Sequence, residues 1–150
     1  MDPERILLNL GHVDHIMALE DIRRAFHCSW YAHMDEEEML LDPGLNLSGT
    51  MGTEQTAVNA DHLLRDGEMI SVLRYDWIVI ATPGHTSGSV CYYIASEDVL
   101  LSGDTLFAES LGGTDLPTGS SAAIVRSITE KLLVLPDDTM VYPGHGETTS

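Results

Sequence analysis

Short apolar runs alternate with polar turns along this chain. Ile6–Leu8, Trp77–Ala81, Val99–Leu101 and Met140–Tyr142 are each closed by a turn containing glycine or proline. Runs of this length and punctuation predict buried strands. Val90–Ile94 predicts a further strand, and Ser29–Ala32 and Met69–Leu73 predict weaker ones. Helices fit between them. Ala18–Phe26 sets Leu19, Ile22 and Phe26 at helical spacing, and Asp35–Leu41 is short, with acids in the first turn where the helix dipole favours them. Ser121–Val134 is the clearest helix, with Ile124, Ile128, Leu132 and Leu133 on one face, Ser120 or Ser121 as N-cap and Pro136 beyond its end. The stretch Asp42–Gly52, with Pro43-Gly44 and Gly49, reads as a loop. Strands and helices intermix without repeat or linker, which gives an α/β or α+β class.

Composition narrows the function classes. The 150 residues carry 24 acidic against 7 basic side chains, a formal net charge of −17. Such a surface repels phosphate backbones and anionic lipid, so nucleic-acid and membrane partners are not expected. No apolar run approaches the ~18 residues of a membrane span, and the first ten residues do not read as a secretion signal. The expectation is a cytoplasmic globular protein. Cys28 and Cys91 make neither a disulfide framework nor a zinc module and read as buried small hydrophobes. The seven histidines against a single lysine, Lys131, are the unusual feature.

Four of the turns that close strands carry histidine or aspartate. They hold His12, Asp14 and His15, then His85, then Asp104, then His145. In layered α/β folds, side chains on loops at one end of rigid strands converge. Four imidazoles and two carboxylates meeting there would bind a divalent cation, and mixed nitrogen and oxygen ligands suit zinc, iron or manganese. A glycine precedes a ligand in every turn (Gly11, Gly84, Gly103, Gly144), letting the backbone bend sharply. One histidine after a strand is usually an ordinary residue; four such turns together are far harder to produce by chance. His27, His33 and His62 lack this setting and read as ordinary histidines, and Glu36–Glu38 reads as a solvated helix face. In Gly84-His85-Thr86-Ser87-Gly88 the serine sits one place too late for a nucleophile elbow. Gly112-Gly113…Gly119 lacks the lysine of a phosphate loop. Ser87 and Ser89 read as turn and strand-start residues.

The ordered series GHVDH, TPGHTSGSV, LSGDTLF and YPGHG resembles the metallo-β-lactamase superfamily. Thr114-Asp115-Leu116-Pro117 and the helix after it resemble the small glyoxalase II-like branch. The resemblance spans nearly the whole chain and implies an αββα sandwich with a metal site at one edge, between the sheets. By position it implies His12 and His85 on a first metal, Asp14, His15 and His145 on a second, and Asp104 bridging them. The implied cofactor is zinc, one ion or two, with iron or manganese as alternatives. The implied nucleophile is a hydroxide held by the metals, with Asp14 and Asp104 as catalytic residues and Asp14 orienting the attack. The implied activity is hydrolysis of a small-molecule thioester or related carbonyl ester. A thiolate leaves with little protonation, which matches the absence of an obvious general acid.

The departures shape the expectation further. Leu10 stands where the family motif begins with a histidine, and leucine cannot coordinate a metal. The first site keeps His12, His85 and Asp104 while the second is intact, so one firm metal and a weak or empty partner site are expected. Few residues precede the motif and five follow His145. The expectation is therefore a single domain over residues 1–150, incomplete at both ends, with part of the N-terminal sheet missing. Exposed strand edges invite pairing, so a homodimer or strand-swapped dimer is expected. Gly113 stands where the small branch often has arginine, which leaves glutathione specificity unsupported. Two alternatives accompany the hydrolase. One is a catalytically impaired or engineered metal-binding member lacking the ligand at Leu10. The other is a mononuclear iron oxygenase resembling the persulfide dioxygenase relatives, with His12, His85 and Asp104 as a facial triad. It ranks lower because those relatives use the histidine that Leu10 replaces. The stretch Ala108–Ser120 offers only Glu109 and Asp115 as charged anchors and leaves the substrate open.

Overall fold

The computed structural model describes residues 3–50, 52 and 55–150. Two sheets face each other. The first is a parallel sheet of β1 (Arg5–Leu7), β2 (Ser29–His33) and β3 (His62–Leu64), with β2 central. The second contains β4 (Met69–Val72), β5 (Tyr75–Ala81), β6 (Val90–Ile94), β7 (Val99–Gly103) and β10 (Met140–Pro143), in the order β10-β7-β6-β5-β4. Its pairs are antiparallel except β10 with β7. A small hairpin of β8 (Leu106–Phe107) and β9 (Ser110–Leu111) lies beside it.

The period-two alternation of strand side chains sorts the core into three layers. On β2, Trp30 and Ala32 face outward and pack with Leu8, Ile16, Leu19, Leu40 and Val58. This layer is roofed by α1 (Val13–Ile16), α2 (Leu19–Phe26) and α3 (Glu37–Leu41). Tyr31, between Trp30 and Ala32, faces the other way and packs with Leu64, Val72, Val79, Val90 and Tyr92, between the two sheets. On β6, Cys91 and Tyr93 face the far side, where Leu100, Val141 and Leu132, from the helical segment that continues α4 (Ser121–Ser127), complete the third layer. Helices, sheet, sheet and helix make an αββα sandwich. All five β6 residues are buried, as expected of a central strand covered on both faces. Cys28 and Cys91 are both buried and free, and no described helix is long and apolar enough to cross a membrane.

The expected strands are all present, Val90–Ile94 with the same ends and the others with ends shifted by one or two residues. Three features were not expected from the apolar pattern: β3, the β8–β9 hairpin and α1. The first two are strands of two or three residues, too short to show a period. The single turn of α1 lies inside the polar motif, where Val13 and Ile16, three apart, both turn inward. Asp35–Leu41 begins as a 3-10 turn over Met34–Glu36 before α3. The run Glu36–Glu38 is not wholly solvated: Glu37 and Glu38 are exposed, but Glu36 is 1% exposed. It shares the inward stripe of Met39 and Leu40, three and four residues on.

Two helix faces also differ from expectation. In α2 only Leu19 reaches the core, and Ile22 and Phe26 are exposed. Ser120 caps α4, its Oγ accepting from Ala123 N at 3.2 Å, but regular helix ends at Ser127. A π-turn over Ile128–Leu132 follows. Thr129 Oγ1 donates to Val125 O at 2.8 Å, competing with the helical ladder at that carbonyl. The wider turn shifts the phase, so Leu132 stays buried while Leu133 and Val134 face solvent. Lys131 Nζ fastens this turn to the sheet, donating to Ala81 O at 2.7 Å and to Asp66 Oδ2 at 3.0 Å. The expected loop beyond Asp42 is organised by Asn46, which is fully buried and donates from Nδ2 to Thr56 O. Met51, at its end, lies outside the described residues.

Candidate metal centre

Each candidate ligand follows a strand that packs in the core, so its loop inherits a fixed origin. After β1, Asn9 ties the chain to the second sheet: its Nδ2 donates to Val90 O and Leu101 O, and its O accepts from Val90 N. Val13 N donates to Asn46 O and opens α1, which presents Asp14 and His15 on its outer side. After β5, the loop through His85 lies against α4. Gly84 has φ of +147°, and a Cβ there would stand 2.3 Å from Ile124 Cβ. Ser120 N donates to Gly84 O and joins the loop to the helix cap. After β10, Gly144 N donates to Gly103 O, setting the His145 loop on the end of β7. Of the four glycines that precede ligands, Gly84 and Gly103 take positive φ. At Gly144 the requirement is room, since a Cβ would meet Asp104 Oδ1 at 2.4 Å.

The structure brings the six candidate ligands to one edge of the sandwich. Asp14, His15, Asp104 and His145 each offer a ligand atom, and those atoms lie within 4.8 Å of one another. His145 Nδ1 is 2.9 Å from Asp104 Oδ1, and His15 Nε2 is 3.2 Å from Asp104 Oδ2. Asp14 Oδ2 lies 3.1 Å from His145 Nε2 and 3.6 Å from His15 Nε2. The same Oδ2 also faces His85, whose Nε2 is 3.5 Å away. The His12 and His85 rings stand edge to face, with centroids 4.8 Å apart. Asp104 is thus shared by a four-residue group and the His12–His85 pair. The burial is graded: His12, His85 and Asp104 are buried, whereas Asp14 and His145 stand at the open rim.

Electrostatics separate the two groups. Burial, and then the neighbouring His85, push the His12 imidazole down to about 4. Burial also opposes charge on His15, but the hydrogen bond and negative charge of Asp104 outweigh it and raise that imidazole above its ordinary range. Burial pushes Asp104 upward, and His15 and His145 more than reverse this, holding its carboxyl below the usual range.

The residues fit a divalent cation. The buried Nε2 atoms of His12 and His85 have no hydrogen-bond partner among the described residues. His85 Nδ1 is 2.7 Å from Gly113 O; a carbonyl only accepts, so Nδ1 carries the proton and Nε2 keeps its lone pair. This is the outer-sphere arrangement that orients metal-binding histidines. Two carboxylates and imidazole nitrogens make a donor set for zinc, iron or manganese. Leu10, 1% exposed, adds no donor beside the His12–His85 pair.

The remaining histidines are elsewhere: His33 Nδ1 accepts from Asp35 N, His62 stacks on Tyr31, and His27 ends α2. Ser87 is exposed, and Ser89 is buried in the loop before β6. Glu36 is the residue near the site that sequence reasoning missed; its spacing to Met39 and Leu40 was the available signal.

A family model of the metallo-β-lactamase superfamily matches residues 11–145. The chain is 41% identical over 150 residues to a probable metallo-hydrolase, YqgX, of Bacillus subtilis, covering 99% of this chain and 71% of that protein. It is 28% identical over 151 residues to the hydroxyacylglutathione hydrolase GloC of Haemophilus influenzae, covering 97% and 69%. Among solved structures it resembles the B3 metallo-β-lactamase BLEG-1, with TM-score 0.93, 40% identity, and 99% and 72% of the two chains covered. It also resembles TTHA1623 in a di-iron-bound form, with TM-score 0.86, 30% identity, and 100% and 73% covered.

Proposed function

We propose that this chain, which belongs to the metallo-β-lactamase superfamily, hydrolyses thioesters or related carbonyl esters at a metal centre built on Asp104. The observation that carries the reading is the meeting of Asp14, His15, Asp104 and His145 within 4.8 Å, at an edge half open to solvent. The probable metallo-hydrolase name of YqgX supports hydrolysis, and the hydroxyacylglutathione hydrolase name of GloC, at lower identity, supports an acyl-thiol substrate.

Asp14, His15, Asp104 and His145 would hold a divalent cation, which would supply polarisation of a carbonyl and a lowered pKa of bound water. Asp104 Oδ2 faces His15 Nε2 at 3.2 Å and Oδ1 faces His145 Nδ1 at 2.9 Å, so the carboxylate and both rings meet at one point. Asp14, half exposed, lies beside His145 at the open rim and can take a proton from attacking water. Beside His145 opens a hollow of about 250 Å³, lined by Phe107, Ala108, Ser110, Gly146 and Glu147 as well. Its lining offers no lysine or arginine to protonate a leaving group or bind a carboxylate. A thiolate leaves without that help, which favours thioesters over amides. A second, larger hollow of about 520 Å³ between the π-turn and the β8–β9 hairpin contains none of the six ligand residues.

Leu10 favours a second reading, in which the chain binds metal without turnover. A panel of acyl thioesters, oxyesters and a β-lactam, assayed with zinc, manganese or iron, separates the two. Thioester hydrolysis that requires added metal and is lost in Asp104→Asn supports the proposal. Turnover confined to a Leu10→His variant establishes the impaired reading, and hydrolysis of the β-lactam alone overturns the substrate class.

A further inference from the structure

The reading of His12 and His85 as ligands of one cation raises the question of what aims them. His85 is held through Nδ1 by Gly113 O, but no hydrogen bond among the described residues holds the His12 ring. Its aim comes from its backbone. Directly before it, Gly11 N donates to Glu36 Oε1 at 3.0 Å in a buried bond. The other oxygen, Oε2, accepts from Thr86 Oγ1 at 2.8 Å, and Thr86 directly follows His85. Gly88 N donates to the same carboxylate. There the loop has no space for a side chain, since a Cβ on Gly88 would stand 2.3 Å from both Glu36 N and Oε2. Ser89 Oγ buttresses Thr86, accepting from its N at 3.1 Å and lying 2.7 Å from its Oγ1. Glu36 is 1% exposed and belongs to no ion pair among the described residues. A buried, unpaired carboxylate is a costly group to keep, and here three donors from the two ligand loops converge on it.

We propose that Glu36 is a positioning residue for the metal centre: its carboxylate ties the residue before His12 to the residue after His85. It thereby fixes the separation and angle at which the two imidazoles present Nε2. The proposal rests on the reading that His12 and His85 hold metal. It assigns Glu36 no contact with substrate or cation. Glutamine at this position has one accepting oxygen, so its amide nitrogen would confront a backbone donor, Gly11 N or Gly88 N, and one link would fail, whereas the Thr86 hydroxyl can turn to accept.

The test is cobalt titration of the purified apoprotein, followed by visible absorption at concentrations that load both groups. It compares wild type, Glu36→Gln, Thr86→Val, His12→Ala and His85→Ala, with a melting curve of each apoprotein. The histidine variants are expected to lose one spectral component, assigned to their pair. Glu36→Gln and Thr86→Val are expected to melt cooperatively, to weaken that component about 10–100-fold, as outer-sphere losses do, and to keep the other. If the histidine variants match wild type, the pair is not a ligand pair and the proposal falls with that reading. If they lose the component while Glu36→Gln and Thr86→Val keep wild-type affinity and spectrum, the pair stands and the positioning role is overturned. Should Glu36→Gln fail to fold, Thr86→Val, which removes one donor at near-constant shape, decides alone.

Discussion

Oδ1 of Asp104 lies 2.9 Å from Nδ1 of His145, joining two strand ends that are 41 residues apart in the chain. The other oxygen faces His15, so one carboxylate organises the four-residue group. Asp104→Asn preserves the shape but removes the charge and turns one acceptor into a donor. Its metal affinity should fall by more than the roughly 10–100-fold that follows loss of an outer-sphere partner. Competition with a chelator measures this, and near-wild-type affinity would remove Asp104 from the centre.

Leu10 is 1% exposed and lies two residues before His12. Leu10→Ala should cost about 2–5 kcal/mol in urea unfolding, as buried leucine truncations do. Leu10→His should trade part of that stability for a donor beside the His12–His85 pair. The firm metal content is then expected to rise from one equivalent towards two. Unchanged stoichiometry would show that the Leu10 side chain does not point at the pair.

Tyr92 joins the two sheets. From β6 its hydroxyl donates to Leu8 O, just past β1, at 2.6 Å in a buried bond. Tyr92→Phe leaves that carbonyl without its partner and should cost about 1–3 kcal/mol. Asn9, whose side chain holds the same stretch to Val90 and Leu101, remains. The variant is therefore expected to lose stability without losing metal. Loss of metal at unchanged stability would reverse this assignment.

Burial pushes the Cys91 thiol from 9.0 up to about 11. Above pH 9 the unfolded chain gives up this proton while the folded chain keeps it. The stabilisation is fully present below pH 9 and is lost as the pH rises to about 11. Tyr92, also raised by burial, acts with the same sign at higher pH. The melting temperature of the apoprotein should fall more steeply between pH 9 and 11 in wild type than in Cys91→Ala. Equal slopes would contradict the burial of an un-ionised thiol.

The layered fold and the four ligand-bearing turns were legible because strands closed by glycine or proline announce themselves in the apolar pattern. Val90–Ile94 was read to the residue, since it is wholly buried and bounded by turns. What escaped depended on three dimensions. The α1 turn hides inside the polar motif, and β3 has only three residues. The apolar face of Ser121–Val134 continued in sequence past the point where Thr129 diverts the helix into a π-turn. Glu36 looked like one of three solvated acids because charge type says nothing of direction. Its place on the Met39–Leu40 stripe and its three donors from distant loops turn it inward.

Anomalous scattering from crystals of the metal-loaded protein, with elemental analysis of the same sample, tests the metal centre most directly. The account predicts a full-occupancy peak among Asp14, His15, Asp104 and His145, with a weaker peak or none between His12 and His85. A protein that holds no divalent cation, or whose ion lies away from Asp104, would contradict it.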